Sequence, residues 1–84
     1  MKIEIVTPEK TAYQGDCTLV QLPGSNGLFE VLVNHAPMIT TLAEGKAKVI
    51  DNQSNTIFFN IKGGVVEVLA NKVLVLAENC EKIE

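Results

Sequence analysis

A chain of 84 residues, 46% hydrophobic and with a formal charge of −3, reads as one domain spanning 1–84; at this size folding buries roughly 60–65% of the unfolded surface, enough for a modest core. Its 7 basic residues are all lysines and do not cluster, so it lacks the basic footprint that displaces counterions from nucleic-acid phosphates, and an anionic membrane surface is disfavoured as a direct partner for the same reason. No run approaches the ~20 apolar residues of a membrane span. Glu4 stands where the apolar segment of a signal peptide would begin, so the expectation is a cytoplasmic chain that works at a membrane only through partners.

Taken in order, residues 2 to 6 alternate polar and apolar with Ile3 and Ile5 on one face, which predicts a strand. Pro8 sets a turn, and residues 11 to 22 alternate again, with Gly15 predicting a bend that splits the run into two strands. Pro23-Gly24 stops it and Ser25-Asn26-Gly27 turns it around. Residues 28 to 33 form a strand with apolar side chains on both faces; Asn34-His35-Ala36-Pro37 is a corner, and residues 38 to 42 are a short strand. After Glu44-Gly45, residues 46 to 51 and 56 to 62 are strands joined by the polar loop 51–55. Gly63-Gly64 predicts a tight reversal, residues 65 to 69 and 73 to 78 a last hairpin, and residues 79 to 84 a polar tail. Nothing sustains a 3.6-residue period. About eight to ten short strands in an all-β sandwich of two antiparallel sheets is the expected fold.

The side-chain inventory is thin in chemistry. One histidine supplies neither HExxH nor a three-His site, and neither a GxSxG elbow nor a phosphate-binding loop is present. Cys17 with His35 is the only conceivable nucleophile and base, and Cys17 sits in an alternating strand as a core residue. Cys17 and Cys80 read as core thiols rather than a disulfide or a zinc pair. No catalytic residue, cofactor or metal is therefore expected. His35 reads as a corner histidine whose ring bonds nearby backbone, and this is compatible with a place at an interface. Ile3, Ile5, Phe29, Val31, Val49, Ile57, Phe59, Ile61, Val66, Val68, Val73 and Val75 already fill a sandwich interior. Leu28, Leu32 and Met38 each read as core taken singly, yet few interior places remain, so some apolar residues near 24–42 are expected to form a contact surface.

The series Pro23-Gly24-Ser25-Asn26-Gly27, Asn34-His35-Ala36-Pro37-Met38, Thr40-Thr41-Leu42, Gly45, Gly63-Gly64-Val65-Val66-Glu67-Val68 and 73–78 resembles the epsilon subunit of bacterial F-type ATP synthase over nearly the whole chain. The resemblance implies a ten-stranded sandwich in the central stalk, a non-catalytic rotor subunit between the gamma subunit and the c-ring. It places Thr7, His35, Met38 and Thr40 against gamma, and Ser25, Asn26, Gly27 and Leu28 toward the ring. At Leu28 some relatives carry a Glu, so the ring contact here is expected to be more apolar, or to draw its charge from Glu30. It further implies a peripheral location on the cytoplasmic face of the cell inner membrane. The family usually continues into a C-terminal helical hairpin, and these 84 residues match the short form without it. The competing expectation is a free-standing β-sandwich that binds a peptide or carbohydrate, which would display aromatics on one exposed face; only Tyr13, Phe29, Phe58 and Phe59 are available.

Overall fold

The computed structural model describes residues 1–83, and all of its regular elements there are strands. They are β1 (Lys2–Val6), β2 (Thr11–Gly24), β3 (Gly27–Leu32), β4 (Met38–Leu42), β5 (Gly45–Asp51), β6 (Thr56–Leu69) and β7 (Lys72–Ile83). The count is seven rather than eight to ten because β2, β6 and β7, of 14, 14 and 12 residues, each cross from one layer of the sandwich to the other. Four short strands plus two halves of each long one make ten segments, the number that the family resemblance implies.

The registers define the two layers. In the first, β4, the second half of β6, the first half of β7, β1 and the first half of β2 lie side by side. The second consists of β3, the second half of β2, β5, the first half of β6 and the end of β7. One pair departs from the antiparallel expectation: β1 runs parallel to β7, from Lys2 opposite Lys72 to Val6 opposite Leu76. β1 thus lies between β2, its antiparallel neighbour in sequence, and β7, the last strand of the chain.

Each crossing has a local cause. Gly63 and Gly64 do not reverse the chain as expected; they bend a continuous β6, with φ of 60° and 128°. The ladder to β7 keeps one register on both sides of the bend, so β7 folds over with β6. In β2 the slip falls between Cys17 and Leu19 rather than at Gly15. It moves the buried set from Cys17 to Val20 and Leu22, as one extra residue in a ladder must. In β7 the alternation breaks at Glu78 and Asn79 and resumes with Cys80. Residues 79–83 are therefore strand, not the polar tail expected, and Cys80 is buried.

The core lies between the layers, and no polar or charged residue is buried in it among those described. Phe59 of the second layer meets Tyr13 of the first with ring centroids 5.3 Å apart at 56°, a tilted aromatic pair. Ten of the twelve expected core residues are buried; Phe29 and Ile57 are half-buried and pack against the cluster. Cys17 and Cys80 are free thiols, and burial pushes both above the ordinary thiol pKa, which suppresses thiolate chemistry.

The loop joining β5 to β6 is held by one carboxylate. Asp51 Oδ1 accepts the backbone N–H groups of Gln53 and Asn55, each at 2.9 Å, and Oδ2 accepts Asn55 Nδ2 at 3.2 Å. These bonds, that from Asn55 N–H first, hold the Asp51 pKa below the usual carboxylate value. A depressed folded pKa stabilises above the unfolded value, about 3.9, and the contribution is lost as pH falls through the folded value. Thermal melts of the wild type and Asp51→Asn should differ near pH 6 and converge below about pH 4. A difference that does not change with pH would mean that the carboxylate charge has no part in the loop.

Candidate interaction surfaces

Two exposed apolar surfaces stand out, one on each layer. On the outer face of the first layer, strand registers line up Ile39, Glu67, Leu74 and Glu4 in one row. Thr41, Val65, Leu76 and Val6 form the next. Ile39 is 70% exposed, and Val65, Leu69 and Leu76 are also exposed. Shallow apolar depressions lie at both ends, one beside Pro37, Ile39 and Leu69, the other beside Val6, Pro8 and Leu76. Ion pairs border the face on the β1 side, Lys72 to Glu4 at 3.8 Å and Lys2 to Asp16 at 3.6 Å. Apart from Glu67, which stands between Ile39 and Leu74, the centre is apolar and the charges lie at the margin, the anatomy of a protein contact rather than of a solvated sheet.

The residues expected to face gamma bracket this surface more than they fill it. Thr7 lies beyond the last residue of β1, where its Oγ1 caps the turn by accepting the Lys10 N–H at 3.3 Å. His35 is at the other end, just ahead of β4 and beside the Asn34–Asn71 contact. On β4, Met38 and Thr40 point toward the interior and are half-buried, while Ile39 and Thr41 point out. Strand parity thus leaves Ile39, at 70%, the most exposed large apolar side chain among the described residues.

The His35 corner is built by backbone bonds. The His35 N–H donates to Leu32 O at 3.1 Å, and Nδ1 lies 2.7 Å from Ala36 O, so the tautomer that carries the proton on Nδ1 satisfies the contact. Asn34, at φ 67°, pairs reciprocally with Asn71 of the β6–β7 hairpin: its N–H donates to Asn71 Oδ1 at 2.7 Å and its Oδ1 accepts Asn71 Nδ2 at 3.0 Å. This Asn–Asn clamp joins residues 37 positions apart, which local spacing does not disclose.

The second surface is the β2–β3 hairpin with the outer side of β3. Ser25 and Asn26 form the turn, and Gly27 follows at φ 126°. The tip is fastened to β4: the Ser25 N–H donates to Thr41 O at 3.0 Å, and Thr41 Oγ1 donates to Ser25 Oγ at 2.8 Å. Leu28 is 63% and Leu32 51% exposed, and Glu30 between them accepts Gln21 Nε2 at 3.2 Å. The structure therefore gathers Ser25, Asn26, Gly27, Leu28 and Glu30 into one tip and edge. This surface is separate from the first-layer face.

Among the described residues no group of three or more His, Cys, Asp or Glu could hold a metal, and no helix is long and apolar enough to cross a membrane. The aromatics build no sugar platform: Phe59 is buried, Tyr13, Phe29 and Phe58 are half-buried, and Phe58 lies under Lys46 Nζ at 5.3 Å from its centroid. The fold and its surfaces define a small β-sandwich that presents two exposed apolar surfaces. The family model described as ATP synthase, Delta/Epsilon chain, beta-sandwich domain matches residues 1–83, and the chain belongs to that family. It is thereby a non-catalytic, peripheral and membrane-associated part of the ATP synthase complex.

Similar proteins carry the name throughout. The ATP synthase epsilon chain of Chlorobium limicola is 38% identical over 78 residues, covering 93% of this chain and 89% of that one. The epsilon chain of Caulobacter vibrioides is 40% identical over 79 residues, covering 94% and 91%. In fold, the chain superposes at a TM-score of 0.89 and 17% identity on a chain of the Euglena gracilis mitochondrial ATP synthase, described as OSCP/F1/c-ring; the match spans 95% of this chain and 51% of that one.

Proposed function

We propose that this chain is the clamp of the rotor, holding the foot of the gamma subunit to the c-ring on the cytoplasmic face of the membrane. Ion flow turns the ring, the sandwich carries the torque to gamma, and ATP forms at catalytic subunits elsewhere. The observation that supports this reading is the pair of exposed apolar surfaces on a body too stiff to shear. A close-packed core and satisfied strand ladders resist deformation, so displacement of one surface is passed to the other.

The first-layer face takes gamma, with Ile39, Val65 and Leu76 at its centre and Thr7 and His35 at its two ends, while Met38 and Thr40 support it from the inner side of β4. The tip of the β2–β3 hairpin, Ser25 to Leu28 with Glu30, takes the ring. Fastening the tip to β4 through Thr41 keeps the two contacts in fixed relation. The test is gel filtration of this chain mixed with gamma from the same organism. Co-elution as an equimolar species is expected; separate elution, both with and without the ring present, would overturn the clamp.

A further inference from the structure

The edge of β3 carries free backbone groups that side-chain docking of the hairpin tip does not use, although Leu28 and Glu30 belong to both, so this inference deepens the reading of that tip. Among the described residues β3 pairs only with β2. Pro23 O accepts the Ala43 N–H, so the backbone groups of residue 23 face away from β3 and those of Leu22 and Gly24 face it. By strand alternation Gly27, Phe29 and Val31 bond back to β2, and Leu28, Glu30 and Leu32 direct their N–H and C=O groups outward. Among the described residues, the one partner these groups find is the His35 N–H, which Leu32 O accepts.

The other free edges are guarded. Pro37 stands at the start of β4, whose far end is bonded to Pro23 and Ser25. Gly15 and Asp16 interrupt the outer half of β2, and Asn79, Glu81 and Lys82 line the end of β7. The β3 edge has one guard, Glu30, set between two exposed leucines. Its carboxylate meets only the neutral amide of Gln21, and neither ion pair among the described residues includes it.

We propose that the free edge of β3 is a strand-addition site for an extended partner segment carrying Lys or Arg opposite Glu30, and that the same carboxylate bars a second copy of this chain. An added antiparallel strand centred on Glu30 satisfies the outward backbone groups, and its residues two positions either side of the cation rest on Leu28 and Leu32. With two copies, the two-fold register that uses the most free groups sets Leu28 against Leu32 and Glu30 against Glu30. Facing side chains in that register have Cβ atoms about 5 Å apart, where like charges repel. An unguarded apolar edge would self-pair; the acid turns it into a selective one.

The E30K variant is the probe, since it presents this same strand with the complementary charge. Wild type alone and E30K alone should each elute as monomers, and their equimolar mixture as a dimer. In the mixture, amides of Leu28, Glu30 and Leu32 on isotopically labelled wild type should exchange about tenfold more slowly than in wild type alone. A monomeric mixture, with E30K folded by circular dichroism, would overturn the site. A dimer without protection at those three amides would also overturn it, because faces rather than edges would then be in contact. Dimerisation of wild type through the same amides would overturn the bar. Loss of gamma binding leaves this edge chemistry untouched, so the two readings fail separately.

Discussion

Replacing Gly64 by alanine should cost about 3–5 kcal/mol, summing backbone strain and overpacking of roughly 1–3 kcal/mol each at a site with little room to relax. Gly64 has φ of 128°, a region that L side chains rarely occupy, and an added Cβ would collide with Leu76 O and lie 2.9 Å from Ala77 Cα. Both obstacles are backbone of β7, which cannot retreat without opening the ladder that carries both strands between layers. Domains of this size have roughly 4–12 kcal/mol in total, so the variant sits near the edge of folding. A fall of about 15–30 °C in Tm is the readout.

Gly63→Ala is the control. Its φ of 60° is the ordinary left-handed well, and an added Cβ would meet only the flexible Glu78 carboxylate at 3.3 Å. That change should cost about 1–2 kcal/mol. Equal losses at both positions would mean that the pair acts through chain flexibility and that the close approach at Gly64 is unimportant.

Ile39→Asp should weaken gamma binding by about 100-fold or more, in the range of an interface hot spot, while leaving the domain folded. Ile39 points outward from an edge strand, so its replacement removes little core packing. Docked, the new carboxylate would be desolvated directly across the ladder from Glu67, and the two charges would repel. Thr40→Ala, one residue along and facing inward, should change affinity by less than about threefold. Titration calorimetry against gamma distinguishes them. Unchanged affinity for Ile39→Asp would move the interface off the outer face of the first layer, and a larger effect at Thr40 would mean that β4 docks through its backbone edge.

Several features of this molecule are local in origin and were therefore readable in advance. Period-two alternation set ten of the twelve core residues, because side-chain parity along a strand follows from backbone geometry alone. The Ser25-Asn26-Gly27 turn follows from the φ of 126° that glycine tolerates at position 27. The excess of apolar residues over interior volume anticipated exposed apolar side chains within 24–42, though not that Leu28 and Leu32 would be among them. The spacing of the Pro-Gly, His-Ala-Pro and Gly-Gly motifs was enough to point to the family.

What the tertiary structure decided is where strands continue and what lies opposite them. Gly63-Gly64 is chemically as fit for a reversal as for a bend; β7, following in register, makes it a bend. The end of the chain becomes strand because the first half of β6 offers it a ladder, and β1 runs parallel to β7 because the two meet only in the closed sandwich. The Asn34–Asn71 clamp and the Ser25–Thr41 link join residues remote in sequence. The exposure of Ile39, the free groups of β3 and the isolation of Glu30 are likewise statements about neighbours. Local sequence sets which way a side chain points; what it points at depends on which strands the whole chain brings beside it.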